Sequence, residues 1–201
     1  ESWLNVTPSD RLSEEMLFND REGFVKALNG VYIELNTNEL YGRNLTAGAL
    51  DVMGQYYSVA SSSHAFYNYG GLVYTGNDEK ALFDNMWQKC YAVIACCNTI
   101  IEKCDENKAG LSPVWKGSIK GEALALRAML HFDMLRLFGP LTSELDKESI
   151  PYQTNSDQTV TPLLSGSEVI GLILDDLKNA VGLLKDTDPY FVEEGSALGR
   201  G

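Results

Sequence analysis

The residues best placed to do chemistry in this chain are aromatic rather than ionic. Between Asp51 and Asp78 no Asp, Glu, Lys or Arg occurs, yet Tyr56, Tyr57, Phe66, Tyr67, Tyr69 and Tyr74 crowd in among Ser61-Ser62-Ser63, Gly70-Gly71 and Gly76-Asn77. Rings on a rigid support bury large area at small entropic cost, and neighbouring amides and hydroxyls exchange hydrogen bonds. Such a mixture suits a neutral sugar, whose C–H faces stack on rings and whose hydroxyls pair with Asn, Gln, Tyr and Ser. Tyr56, Tyr57, His64, Phe66, Tyr67, Asn68 and Tyr69 are therefore the candidate ligand-binding residues. The same rings could instead pin the loop to the body of the protein, and the sequence leaves both readings open.

Other chemistries fare worse. Glycoside hydrolysis needs two carboxyl groups roughly 5 to 10 Å apart across a cleft. Asp51 and Asp133 are the unusual carboxylates, but Asp133 has Arg136 three positions on and Arg127 on the same helix, the spacing of a helix-stabilising ion pair. No catalytic residue is assigned, and the chain reads as a non-enzyme. His64 and His131 are the only histidines, with no acidic or thiol neighbours at ligand spacing, so no metal site is expected. Gly70-Gly71 lacks the Lys-Ser/Thr of a phosphate loop, and Gly166-Ser167 lacks the flanks of a nucleophile elbow. No cofactor is expected. Cys90, Cys97 and Cys104 recur every seven residues, with Cys96 beside the second. Seven helical residues rise about 10.5 Å, beyond the roughly 7 Å Cα reach of a disulfide. With no Cys-x-x-Cys pair for zinc, the four read as buried small hydrophobes.

The elements that must position the aromatic loop follow from apolar periodicity. Residues 1–19, with Thr7-Pro8 and Ser13, read as an extended or irregular lead-in. Asp20 caps a helix whose apolar face is Phe24, Ala27, Leu28, Val31 and Leu35. A second helix is expected from about Leu40 to Tyr57, weakened by Gly42, Gly48 and Gly54, each costing about 1 kcal/mol relative to Ala. Phe83, Trp87, Cys90, Ile94, Cys97, Ile101 and Cys104 form one seam of a long third helix, capped by Asn77 or Asp78 and closed by Asp105-Glu106-Asn107 with Gly110. Ser112-Pro113 opens a fourth, with Ile119, Ala123, Leu126, Leu130, Met134 and Leu137 on its face and Gly139-Pro140 at its end. Two helices of this length across a short loop pack as an antiparallel hairpin. Residues 139–166 form a long polar connection with short extended pieces near Ile150-Pro151-Tyr152 and Thr159-Val160-Thr161. Ser167 then caps a last helix bearing Val169, Leu172, Ile173, Leu177, Ala180 and Leu184.

The fold class is therefore mainly α: helical-repeat, tetratricopeptide-like helix pairs with long loops and at most a minor β-hairpin. The tetratricopeptide consensus is met poorly, since Trp87 is present but Cys90, Tyr91 and Ile94 occupy its Leu, Gly and Tyr positions. At 201 residues, 44% hydrophobic and 22% charged, the chain is a folded single domain over 1–201. Sixteen basic against 28 acidic residues give a net charge of −12, a field that repels nucleic acid and anionic lipid. No apolar run approaches the roughly 18–20 residues of a membrane helix. With no initiator Met and a Gly-rich end at Gly199-Arg200-Gly201, the sequence is expected to be part of a longer protein.

One stretch is recognisable. Lys120-Gly121-Glu122-Ala123-Leu124-Ala125-Leu126-Arg127-Ala128-Met129-Leu130-His131-Phe132, closed by Leu137-Phe138-Gly139-Pro140, closely resembles the hallmark of the SusD/RagB family, glycan-binding outer-membrane lipoproteins of Bacteroidetes. Glu122, Arg127, Phe138 and Gly139 are its structural residues, with Glu122 and Arg127 expected to fix helix packing. Trp3-Leu4-Asn5-Val6-Thr7-Pro8 is similar to the family's segment after its lipidated cysteine, and Ala27-Leu28-Asn29-Gly30-Val31-Tyr32 to its first helix. Trp87 to Ile101, with Asn98 inside it, resembles the helix before the hallmark. Ile150-Pro151-Tyr152, Asp175-Asp176-Leu177 and Gly199-Arg200 fall where the family has related residues.

The resemblance implies a mostly helical N-terminal portion of a SusD-like protein and a lipid anchor at the outer membrane, on the cell surface. It also implies a lid-like role over a TonB-dependent, SusC-like β-barrel transporter during polysaccharide uptake. The region after the first helix pair contributes to the family's glycan site. Two departures stand out: family members are much longer, and Gly139-Pro140-Leu141 lacks the usual residue between Gly and Val-Pro. Two functions compete on this reading. One is a surface protein that captures an oligosaccharide for the transporter; the other is a helical-repeat adaptor that binds protein segments in a groove.

Overall fold

Apolar side chains repeating every three or four residues build nearly all of the structure, a computed structural model that describes residues 14–157, 159–184 and 188–189. Among the described residues seven α-helices run in chain order: α1 (Glu14–Leu17), α2 (Arg21–Leu35), α3 (Ala49–Met53), α4 (Tyr67–Gly70), α5 (Asn77–Glu106), α6 (Pro113–Phe138) and α7 (Gly166–Leu184). Two short strands, β1 (Glu148–Pro151) and β2 (Leu163–Ser165), pair antiparallel between α6 and α7. The mainly helical class with a minor hairpin is therefore observed. Among the described residues no helix is long and apolar enough to cross a membrane. The stretches at Trp3–Pro8, Ser13 and Gly199-Arg200 lie outside the described residues.

Helices α5 and α6 are the scaffold. Asn107 ends α5 in the left-handed conformation, its side chain accepting from Leu111 N–H at 2.7 Å, and Gly110 supplies a second positive φ in the turn. Ser112 accepts from Trp115 N–H, with Pro113 at the first helical position. The facing seams, Cys90, Ile94, Cys97 and Cys104 against Ile119, Ala123, Leu130 and Met134, are buried. Each large apolar side chain buried there contributes about 1.5–3 kcal/mol, so packing rather than helix propensity stabilises the hairpin. Helix α2, capped by Asp20 at Gly23 N–H, lays Phe24, Leu28, Val31 and Leu35 on the same core.

Several expectations need correction. Within residues 1–19, α1 is a helical turn rather than irregular chain. The helix expected over 40–57 is only α3; residues 36–48 instead coil through successive turns, with Leu40 and Leu45 buried. The glycines explain this. A Cβ on Gly42 would lie 2.5 Å from the Asn36 carbonyl oxygen, and one on Gly48 2.6 Å from that of Arg43, so the chain folds back on itself where only hydrogen fits. The cap of α5 is Gly76, not Asn77 or Asp78. The second strand lies at Leu163–Ser165 rather than 159–161, because Ser165 also starts α7: its Oγ accepts from Glu168 N–H while the Glu168 carboxylate accepts from Ser165 N–H at 2.8 Å. Ser167 lies inside the helix. On α7, Val169, Ile173 and Ala180 are buried as expected, but Leu172, Leu177 and Leu184 are exposed and Asp176 takes an inner position. Cys96 is exposed, unlike the three other cysteines.

The inward turn of Asp176 follows from Arg127. Arg127 on α6 donates from Nε and a terminal nitrogen to the two Asp176 oxygens, each at 2.7 Å, in the bidentate geometry that favours guanidinium–carboxylate pairs. Its other terminal nitrogen donates to Asn98 Oδ1 on α5 at 2.8 Å. Asn98 in turn donates to the Gln153 and Asn155 carbonyls, and Tyr152 Oη donates to Asp176 at 2.6 Å. Helices α5, α6, α7 and the long connection thus meet in one buried polar cluster. Helix α7 approaches α6 so closely at Gly121 that a Cβ there would lie 2.7 Å from Leu184 Cγ.

His131 belongs to the same cluster. Gln153 N–H donates to its Nε2 at 3.0 Å, which leaves the ring proton on Nδ1 to donate to the Arg127 carbonyl at 2.9 Å. The ring stacks on Tyr152 with centroids 3.9 Å apart. Burial pushes its pKa down to about 4.

Two predictions follow from this cluster. Arg127→Met strands Asp176 in the interior and lowers stability by about 3–5 kcal/mol, measured by urea unfolding, whereas Arg127→Met/Asp176→Leu regains most of it. Equal losses in both variants would show that the pair is not the source. For His131, the unfolded chain takes up its proton near pH 6.5 and the native chain only near 4. Stability should therefore decline by about 3 kcal/mol as pH falls through that window. His131→Gln should flatten the decline, and an unchanged slope would contradict the assignment.

Candidate functional site

The uncharged run between Asp51 and Asp78 forms a loop packed against the start of α5, through Asn68–Glu79 and Tyr69–Phe83. Its inner side is a cleft of about 530 Å³, within the range of small-molecule sites. Tyr57, Tyr67 and Asn68 line it together with Val52, Gln55 and Ser58, and its lining carries no Asp, Glu, Lys or Arg. Tyr57 Oη donates to the Ala47 and Gly48 carbonyls, which ties that ring to the turn before α3. Tyr67 is 42% exposed, its ring available from solvent. Gln55 and Leu72, which flank the cleft, have φ of 58° and 54°; non-glycine residues in that region carry strain of the kind that concentrates at functional sites.

The sequence candidates divide between lining and support. Tyr57, Tyr67 and Asn68 face the cleft. Tyr56 is 83% exposed and outside the lining, its ring lying over Gly54. His64 Nδ1 accepts from Phe66 N–H, and its ring packs against Phe66. Phe66 contacts Tyr69, and Tyr69 is buried against Phe83 of α5, each with centroids 5.9 Å apart. These rings fasten the loop down. The pinning reading describes these rings, while Tyr57, Tyr67 and Asn68 are left on the cleft. Gln55 and Ser58 were not singled out from sequence, although they sit inside the same uncharged run.

The fastening continues into the scaffold. Phe83 meets Phe138 at 6.2 Å, Phe138 meets Trp87 at 4.9 Å, Trp87 meets Tyr91 at 4.7 Å, and Tyr91 meets His131 at 6.0 Å. All lie within the 4.5–7 Å range of favourable ring pairs. A chain of rings therefore joins the loop to the buried Arg127 cluster. Phe138 is its junction, and Gly139 closes α6 where a Cβ would be 2.4 Å from the Leu135 carbonyl oxygen. Glu122 accepts from Tyr32 Oη at 3.0 Å, joining α6 to α2.

At the loop's outer edge, Asn68 Nδ2 donates to Glu79 Oε1 on α5 at 2.6 Å. The Asn68 amide and the residue's own backbone N–H hold the Glu79 carboxyl below its usual range. Glu79 sits three residues after the Gly76 cap, the position from which an acidic side chain turns back over a helix start.

Acid–base chemistry finds little footing. Asp133 accepts from Tyr41 Oη at 2.5 Å and from Arg136 at 2.6 Å, which uses both its oxygens. Among the described residues no group of three His, Cys, Asp or Glu side chains could hold a metal ion.

Known proteins share this fold. A family profile described as "Starch-binding associating with outer membrane", of the SusD-like type, matches residues 2–193. SusD-like protein P38 of Formosa agariphila is 34% identical over 47% of this chain and 17% of its own length. SusD-like protein P2 of the same organism is 26% identical over 92% of this chain and 35% of its own. A SusD-like protein of Bacteroides ovatus is 30% identical over 53% of this chain and 19% of its own. The chain thus spans about a third or less of the length of these relatives. In the crystal structure of a SusD superfamily protein from Bacteroides vulgatus, 36% of the chain superposes on 85% of this one, with a TM-score of 0.64 at 21% identity. A second Bacteroides vulgatus crystal structure, of a protein named for sugar binding, gives 0.66 at 25% identity over 82% of this chain and 37% of its own. With a profile match across residues 2–193 and the same helical fold, this chain belongs to the SusD-like family.

Proposed function

We propose that this chain is part of a cell-surface protein that captures an oligosaccharide at the aromatic cleft and makes or breaks no covalent bond. The observation that carries the reading is the cleft itself: ring walls at Tyr57 and Tyr67, amides at Gln55 and Asn68, a hydroxyl at Ser58, and no charged side chain in the lining. Stacked rings and neutral hydrogen-bonding groups recognise a sugar, while a cleft without a charge pair offers nothing to protonate a glycosidic oxygen. The starch-binding, outer-membrane description of the family supports the same reading, as does the relative named for sugar binding.

In the cell, the captured glycan would pass to a TonB-dependent, SusC-like β-barrel transporter. A lipid anchor would hold the protein at the outer membrane, and this chain would form one wall of a site completed by the rest of the protein.

Calorimetry with maltoheptaose, cellohexaose, xylohexaose and a galacturonate oligomer tests the binding. Tyr67→Ala should weaken binding about tenfold or more and leave the melting temperature near that of the unaltered chain. Tyr69→Ala, which empties a buried site, should instead cost about 3 kcal/mol of stability. Binding unaffected by Tyr67→Ala would move the site off this cleft. Failure of every glycan to bind would favour a protein-segment partner.

A further inference from the structure

Glu79 is the unusual carboxylate of this region. It is 6% exposed, follows Asp78 in the first turn of α5, and pairs with no cation among the described residues. Its Oε1 accepts from the Asn68 amide at 2.6 Å. Its Oε2 lies over Gly76, where a Cβ would come within 1.9 Å. The side chain is thus folded back across the start of α5, a path open only because residue 76 lacks a side chain. Asn68 in turn belongs to α4, whose first residue is Tyr67, and both line the cleft.

We propose that Glu79 is a positioning residue of the glycan cleft: it anchors the Asn68 amide through Nδ2, sets α4 and the Tyr67 ring against α5, and leaves Asn68 Oδ1 to accept from a ligand hydroxyl. A carboxylate is acceptor-only, so it fixes which end of the amide it meets. The ligand class that follows is one that donates a hydroxyl proton at this point, as a neutral sugar does and a carboxylate or sulfate does not. The assignment rests on the binding reading of the preceding subsection.

Three variants separate this role from a charge on the helix end. Glu79→Ala removes the acceptor. Gly76→Ala keeps the carboxylate but places a methyl where its oxygen lies. Glu79→Gln loses the charge and keeps an acceptor of equal reach. Amide hydrogen exchange over residues 67–71 should quicken about tenfold in the first two variants, the equivalent of one charge-assisted hydrogen bond, and by clearly less in Glu79→Gln, which keeps a neutral one. Affinity for the best-bound oligosaccharide of the same four should follow that order, falling about tenfold with Glu79→Ala and Gly76→Ala.

Unchanged exchange in Glu79→Ala overturns the anchor whether or not a glycan binds. Glu79→Gln as fast as Glu79→Ala assigns the effect to helix charge and overturns the amide contact. Faster exchange with equal affinity overturns the role in the site. An unaltered chain that binds none of the four while exchange still changes sinks the binding reading and, with it, the positioning of the site, but leaves the anchor standing.

Discussion

Three helices and a 24-residue connection between Gly139 and Pro162 converge on the bidentate pair of Arg127 and Asp176. Moving both charges from water costs several kcal/mol per ion, which only good geometry and further hydrogen bonds offset. Asn98, Tyr152 and the Thr154 carbonyl provide those bonds. The consequence is specificity of arrangement. An amphipathic α7 could lie on α6 in more than one rotation, but only one places Asp176 opposite Arg127, and that rotation leaves Leu172, Leu177 and Leu184 outside. The connection is held equally firmly, because Asn98 and His131 take up the backbone groups of Gln153 and Asn155 that a polar loop would otherwise leave unpaired.

From that cluster the order passes outward through rings. Tyr152 stacks on His131, His131 meets Tyr91, and the contacts proceed through Trp87, Phe138 and Phe83 to Tyr69 and Phe66. The loop carries few backbone bonds to the helices, so its placement rests on these rings, on the Tyr57 hydroxyl at Ala47 and Gly48, and on the Asn68–Glu79 bond. A rigidly seated loop loses little entropy when a ligand binds. The same economy explains the division among the aromatics: Phe66 and Tyr69 are spent on seating, which frees Tyr57 and Tyr67 to form walls.

How much of this could be read from sequence varies with the range of the interaction. Helices α2, α5 and α6 were legible because their caps and apolar seams are local: Asp20, Ser112-Pro113 and the Cys90–Cys104 spacing signal them directly. The helix expected over 40–57 is confined to α3 because the close approaches at Gly42 and Gly48 are made to backbone that only the fold brings near. The inner position of Asp176 on α7 was not legible, since a buried charge is visible only once its partner 49 positions away is known. Arg127, Asn98, Tyr152 and Asp176 had each been noticed through family resemblance, yet nothing in their spacing says that they touch. In the site, the uncharged aromatic run was plain, whereas the split between walls and seats depends on which rings reach α5.

The central claim is that a helical body locked at Arg127 presents an uncharged aromatic cleft that holds sugar. A crystal structure of the chain soaked with its best-bound neutral oligosaccharide tests it most directly. The account predicts a sugar ring stacked on Tyr67 or Tyr57, with a hydroxyl donating to Asn68 Oδ1. A sugar seated elsewhere, such as the groove between α6 and α7 beside Lys120 and Asn179, would contradict it.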